Sequence, residues 1–96
     1  IAKDFSSAFE EVDAILTPTT TGPAFKIGEK ANDPLALYLE DIFTVPANIV
    51  GIPAISIPAG SINEDGKSLP LGLQIMSKHG AENILFNISK KFLGEN

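Results

Sequence analysis

The sequence contains neither cysteine nor arginine, and each absence excludes a class of function. Without cysteine there is no disulfide framework and no thiolate metal site, which fits a reducing cytoplasm. A nucleic-acid-binding surface needs clustered positive charge to neutralise phosphates, and only Lys90 and Lys91 are adjacent here. No apolar run is long enough to cross a bilayer. We therefore expect a cytoplasmic protein that binds neither nucleic acid nor membrane directly.

A recognisable set of catalytic groups is also missing. None of the seven serines lies in a Gly-x-Ser-x-Gly context, and the single histidine, His79, stands in "SKHGAE", which is typical of an exposed turn. The sequence has no paired histidines and no calcium-loop spacing, so we assign no metal. Because the first residue is Ile1 rather than methionine, we expect the chain to begin inside a larger enzyme.

What is present is a chain of 96 residues, 44% apolar, with a formal charge of -5. This length allows one domain at most, which buries roughly 60 to 70% of the surface that its unfolded chain exposes. The composition is that of a soluble globular protein with a modest core.

Hydrophobic periodicity predicts both helices and strands. Two segments, Pro53–Pro58 and Leu71–Met76, alternate in the manner of strands, and the polar "NEDGKS" between them predicts an antiparallel pair joined by an exposed loop. The other predicted elements are an amphipathic helix over 2–12, a short buried strand over 14–17, an ordered loop over 18–28, a helix over 34–43 started by Asn32 or Asp33, and a final helix over 81–93.

Asp41 is the charged residue whose position is electrostatically least favourable. It lies near the carboxyl end of the predicted helix 34–43, where the helix dipole favours cations, and no lysine adjoins it. Its carboxylate either bonds a neighbouring backbone N–H or hydroxyl, or anchors a substrate ammonium group, and residue chemistry leaves both interpretations open. Asn48 is interpreted as a turn-fixing amide. The hydroxyls of Thr19–Thr21 either line a site or satisfy loop backbone groups, and we favour the second interpretation.

Three blocks, "DAILTPTT", "DPLALYLEDIFTVPANIVGIPAISIPAG" and "LPLGLQIM", resemble the carboxyl-terminal part of the amidase signature enzymes. The block from Asp-Pro to Pro-Ala-Asn is most typical of the glutamine-hydrolysing subunits of tRNA-dependent amidotransferases. The resemblance implies an α/β fold with a mixed central sheet covered by helices. Residues 1–96 would supply the C-terminal fragment of a single amidase domain, incomplete on its own.

The resemblance also implies a reaction. The family's serine nucleophile, second serine and lysine belong to a Gly/Ser-rich signature that has no counterpart here, so no catalytic residue is assigned and the isolated chain is predicted to be inactive. Asp41 matches the family's acidic residue that holds the α-amino group of glutamine. Thr44, Pro46 and Asn48 are then scaffold that fixes the approach of Asp41.

Partners follow from the same resemblance. Ammonia released from glutamine would pass to a kinase-like partner, which uses ATP and Mg to convert Glu-tRNA(Gln) to Gln-tRNA(Gln). The expected partners are the remainder of the glutamine-hydrolysing subunit, subunits B and C of the complex, and tRNA(Gln) through the complex.

Two alternatives stay open at this point. The first is a general amidase of the same family that acts on small or fatty amides, for which an acidic anchor at Asp41 is unnecessary. The second is a non-catalytic binding or assembly module. We also expect apolar faces of the first helix and the hairpin to be exposed or paired between copies.

Overall fold

The computed structural model describes residues 2–24, 26 and 34–94, which form helices and a small antiparallel sheet. This is a mixed α/β structure, as the resemblance implied. In chain order the elements of the described residues are α1 (Ala2–Phe9), β1 (Ile15–Pro18), α2 (Pro34–Glu40), α3 (Val45–Val50), β2 (Ala54–Glu64), β3 (Lys67–Met76) and α4 (Glu82–Phe92).

The sheet has the order β1-β3-β2, with β3 in the centre and both pairings antiparallel. The predicted pairing of β2 with β3 is confirmed, but the expectation that "NEDGKS" is a loop is wrong. Asn63 pairs with Ser68 and Glu64 with Lys67, so only Asp65 and Gly66 form the turn. Both turn residues have positive φ, 53° and 78°. A two-residue hairpin turn needs such angles for its twist to match the twist of the two strands.

The core lies between the sheet and α4. Ile57 and Ile75 pack with Leu85 of α4, and the partly buried side chains around them are Ala14, Ile55, Leu73 and Ile88. The strand alternation predicted from sequence therefore directs one set of apolar side chains towards α4.

The opposite face of the sheet carries polar side chains in one row. Thr17 of β1 and Ser56 of β2 both pair with Gln74 of β3. Directly paired residues of antiparallel strands project to the same face, so these three side chains lie side by side on the face away from the apolar cluster.

The segment before β2 differs from the predicted helix over 34–43. Helix α2 ends at Glu40, the chain turns through 41–44, and α3 follows. Sequence analysis missed α3 because three of its six residues are β-branched. Pro46 is nevertheless compatible with the first turn of a helix. Gly51, with φ 81°, ends the helix. The predicted cap, Asn32 or Asp33, lies outside the described residues.

The first and last helices of the chain, α1 and α4, agree better with the prediction. Helix α1 ends at Phe9, earlier than predicted, and the rings of Phe5 and Phe9 lie 6.4 Å apart on one face. The final helix is confirmed, with Glu82 in its first turn and Lys90 and Lys91 in its last, where each charge complements the helix dipole. No helix in the part of the chain that the structure describes is long and apolar enough to span a membrane.

Candidate functional site

Asp41 lies in the turn between α2 and α3, held by its backbone. Its N–H donates to the Tyr38 carbonyl at 3.1 Å, and its own carbonyl accepts the N–H groups of Thr44 and Val45, both at 3.1 Å. The Thr44 hydroxyl donates to the same carbonyl at 3.3 Å. The turn thus fixes the main chain of Asp41 and leaves the exposed side chain out of the hydrogen bonding.

The Asp41 carboxylate forms no hydrogen bond and no ion pair within residues 2–24, 26 and 34–94. The sequence left open whether this carboxylate bonds a neighbouring N–H or hydroxyl. In the structure the neighbouring donors bond the backbone carbonyl instead. The carboxylate is therefore available to a cationic group from outside the described residues.

Asn48 stabilises the same region from inside α3. Its Nδ2 donates to the Thr44 carbonyl at 3.1 Å, and its backbone N–H reaches the same oxygen at 3.4 Å. The interpretation of Asn48 as a turn-fixing amide is confirmed. It supports the turn at Thr44 and does not extend to the Asp41 carboxylate.

Gln74 connects this turn to the centre of the sheet. The side chain is buried, with 3% of the residue exposed, and Nε2 donates to the Phe43 carbonyl at 2.7 Å and to the Thr17 hydroxyl at 2.9 Å. A backbone carbonyl only accepts, so the amide nitrogen must face Phe43. Sequence analysis did not identify Gln74 as a site residue, because both partners are far away along the chain.

Two of the threonines after β1, Thr20 and Thr21, line a cavity. Thr20 donates to the Gly22 carbonyl, as predicted, but Thr21 bonds Glu40 at 3.4 Å and Thr19 bonds Ser56 at 2.7 Å. The cavity measures about 540 Å³ and is mainly apolar, with lining residues that include Leu16, Thr17, Thr20, Thr21, Ile62 and Leu71. Thr19 and Thr21 thus bind side chains rather than loop backbone.

The structure brings no base to a serine within the described residues. The hydroxyls of Ser61 and Ser68 bond each other at 3.0 Å, and Ser77 donates to the carbonyls of Lys78 and Ala81. His79 is exposed in the turn before α4, as predicted. No group of three or more His, Asp or Glu side chains in this part of the chain could hold a metal ion. The chemistry that the described site offers is an exposed carboxylate on a main chain that hydrogen bonds hold in place.

The chain belongs to the amidase family, whose family model matches residues 1–86. The resemblance of the three sequence blocks to the amidase signature enzymes is thereby confirmed. Among individual relatives, the sequence is 58% identical over 89 residues to the A subunit of the glutamyl-tRNA(Gln) amidotransferase of Koribacter versatilis (strain Ellin345), a match that covers 93% of this chain. The corresponding protein of Pelagibacter ubique (strain HTCC1062) is also 58% identical over 89 residues, or 93% of this chain.

A third relative, the glutamyl-tRNA(Gln) amidotransferase A subunit 1 of Clostridium acetobutylicum, is 52% identical over 92 residues, which cover 96% of this chain. In all three matches the chain spans only 18% of the length of the relative. The similarity therefore concerns one limited region of these proteins.

Proposed function

We propose that this chain is the substrate-anchoring part of the glutamine-hydrolysing A subunit of a glutamyl-tRNA(Gln) amidotransferase, in which Asp41 binds the α-amino group of glutamine. The proposal rests on one observation: the exposed Asp41 carboxylate has no partner among the described residues while its backbone is held by three hydrogen bonds to its carbonyl. The names of the relatives support the reaction class.

The chemistry of the anchor follows from the substrate. Glutamine differs from a simple amide by its α-ammonium and α-carboxylate groups. A hydrogen bond between an ammonium and a carboxylate is charge-assisted and stronger than a neutral one. A site built to make that bond rejects amides that lack the ammonium, because its carboxylate is then left unpaired. Asp41 thus sets specificity and breaks no bond itself.

Bond breaking belongs to other parts of the enzyme in this proposal. The serine nucleophile, second serine and lysine lie in the remainder of a single amidase domain, of which residues 1–96 are the C-terminal fragment. Ammonia passes to subunits B and C, where the ATP- and Mg-dependent conversion of Glu-tRNA(Gln) takes place in the cytoplasm. The 96-residue chain alone should therefore show no glutaminase activity.

The test is Asp41→Asn in the full-length protein within its complex. Loss of a charged hydrogen bond is worth about 1.5–3 kcal/mol, so kcat/KM for glutamine should fall about 10- to 100-fold. Hydrolysis of propionamide, which has no α-amino group, should stay at the wild-type rate. Both activities are measured by ammonia release.

The matched control is Asp65→Asn, the same change at an exposed carboxylate in the hairpin turn, where Asn tolerates the positive φ. Glutamine kinetics of this variant should equal those of the wild type. Unchanged glutamine kinetics in Asp41→Asn would refute the anchor. A wild-type enzyme that prefers propionamide to glutamine would instead favour the general amidase.

A further inference from the structure

We propose that Gln74 is a positioning residue for glutamine selectivity, which holds the Asp41 turn at a fixed place relative to the sheet. The proposal rests on the proposed function of Asp41. It extends that function from the exposed turn to a buried amide on the central strand, a residue that does not touch substrate.

The side-chain nitrogen of Gln74 uses both of its hydrogens in hydrogen bonds. An amide nitrogen has two hydrogens, and Nε2 donates one bond to the Phe43 carbonyl at 2.7 Å and one to the Thr17 hydroxyl at 2.9 Å. Gln74 is only 3% exposed, so water does not substitute easily for either partner. The side chain therefore links β1, β3 and the turn in one arrangement.

The turn needs such a link because, among the described residues, its other hydrogen bonds stay within the turn or reach only the adjoining helices α2 and α3. Those of Thr44 and Val45 to the Asp41 carbonyl fix the shape of the turn, but they join residues of the turn to one another. They do not determine where the turn lies relative to the sheet. The bond from Gln74 does, since Phe43 is two residues from Asp41 and Gln74 belongs to the central strand.

A second polar connection to this region is weaker. The Thr21 hydroxyl meets Glu40 at 3.4 Å, and Thr21 lies in an exposed part of the loop after β1. That distance is at the long limit for a hydrogen bond. Of these two connections, the one from buried Gln74 is shorter, and Gln74 belongs to the central strand of the sheet.

Gln74 should accordingly affect glutamine and simple amides differently. If the turn shifts, the Asp41 carboxylate moves away from the substrate ammonium, and recognition of glutamine weakens. A substrate that lacks the ammonium does not use Asp41, so its turnover is unaffected. A purely structural role of Gln74 would lower both activities together.

The experiment uses the full-length protein in its complex, with glutamine and propionamide as the two substrates. Gln74→Met keeps the length of the side chain and removes both hydrogen bonds. Gln74→Glu keeps the shape and places a carboxylate oxygen against the Phe43 carbonyl, so it also loses that bond. For both variants we expect KM for glutamine to rise about tenfold, since a misplacement of ~1 Å can cost up to about a hundredfold. The kinetics with propionamide should stay unchanged.

The double variant Gln74→Met, Asp41→Asn gives a second readout. If Gln74 acts through Asp41, the double variant should lose no more glutamine selectivity than Asp41→Asn alone, because positioning an absent carboxylate has no effect. Ser68→Ala is the matched control, as it removes a side-chain hydrogen bond to Ser61 from an exposed part of the same strand. It should leave both substrates at wild-type values.

Equal losses for both substrates, or additive losses in the double variant, would overturn the role of Gln74 while leaving Asp41 as the anchor. If Asp41→Asn itself leaves glutamine kinetics unchanged, the proposed function fails and the positioning role fails with it. A selective loss in both Gln74 variants, with no additional loss in the double variant, supports the inference.

Discussion

The hydroxyl oxygens of Thr19 and Ser56 lie 2.7 Å apart, across Gly72 of the central strand. A Cβ atom at position 72 would come within 2.7 Å of the Thr19 oxygen and 2.9 Å of the Ser56 oxygen. The Thr19 N–H also donates to the Gly72 carbonyl at 3.1 Å. The bond between the two hydroxyls therefore connects the loop after β1 with β2 and requires glycine between them.

Substituting Gly72 by alanine should destabilise the protein. The added methyl group has to displace Thr19 or Ser56, and overpacking of this kind costs about 1–3 kcal/mol of unfolding free energy. The change is measured by chemical denaturation of the variant and the wild type. Gly22→Ala is the control, because no atom lies within 4 Å of a Cβ built there. Equal stability of the two variants would contradict the steric argument.

Gly66→Ala should destabilise the hairpin for a conformational reason. Gly66 has φ 78° in the turn between β2 and β3, a left-handed conformation that costs residues with a Cβ about 1–2 kcal/mol. Asparagine tolerates this region better, so Gly66→Asn should recover part of the loss. Thermal unfolding of both variants measures the difference. A Gly66→Ala variant as stable as the wild type would mean that the turn adopts another conformation.

Ser89→Ala should stabilise the chain. Ser89 is 6% exposed in α4, and its hydroxyl has no hydrogen-bond partner in the part of the chain that is described. Removing a buried unpaired hydroxyl recovers a desolvation cost of about 1 kcal/mol or more, and alanine is the better helix former. Chemical denaturation of the variant and the wild type shows whether the free energy of unfolding rises or falls. If the substitution instead destabilises the full-length protein, the hydroxyl is bonded by a segment outside the described residues.

The chain studied alone should self-associate through α2. Leu35, Tyr38 and Leu39 occupy one side of this helix at spacings of three and four residues and are 67%, 62% and 42% exposed. Such an apolar surface is costly in water and pairs readily. Sedimentation velocity over a range of concentrations should show an oligomer that Leu35→Glu weakens. Asn87→Glu, a similar charge on the exposed side of α4, should leave the association unchanged.

Sequence periodicity predicted the parts of the fold in which one face is buried against another element. The alternation around Ile57 and Ile75 located the paired strands, and the spacing of Leu85 and Ile88 located α4. The outer half of the hairpin was not recognised because it is exposed on both faces, so its side chains have no reason to alternate. There the backbone ladder, with the hydrogen bond between Ser61 and Ser68, holds the strands together.

Only part of the candidate site could be predicted from the sequence. Asp41 was identified from its unfavourable position near a helix end and from the family resemblance, and its role as an anchor stays a prediction. Gln74 was missed because a single amide in an alternating strand gives no local signal. Its partners, Thr17 and Phe43, precede it by 57 and 31 residues, so only the tertiary structure brings them together.

The sheet separates two kinds of constraint on the evolution of this protein. Side chains directed towards α4 must fit a close-packed apolar cluster, whereas Thr17, Gln74 and Ser56 on the other face lie in one polar row. If Gln74 positions Asp41 as proposed, substrate preference can change by exchange of polar groups on that row without repacking of the cluster. Related enzymes with different amide substrates should then diverge at the row while they retain the apolar positions under α4.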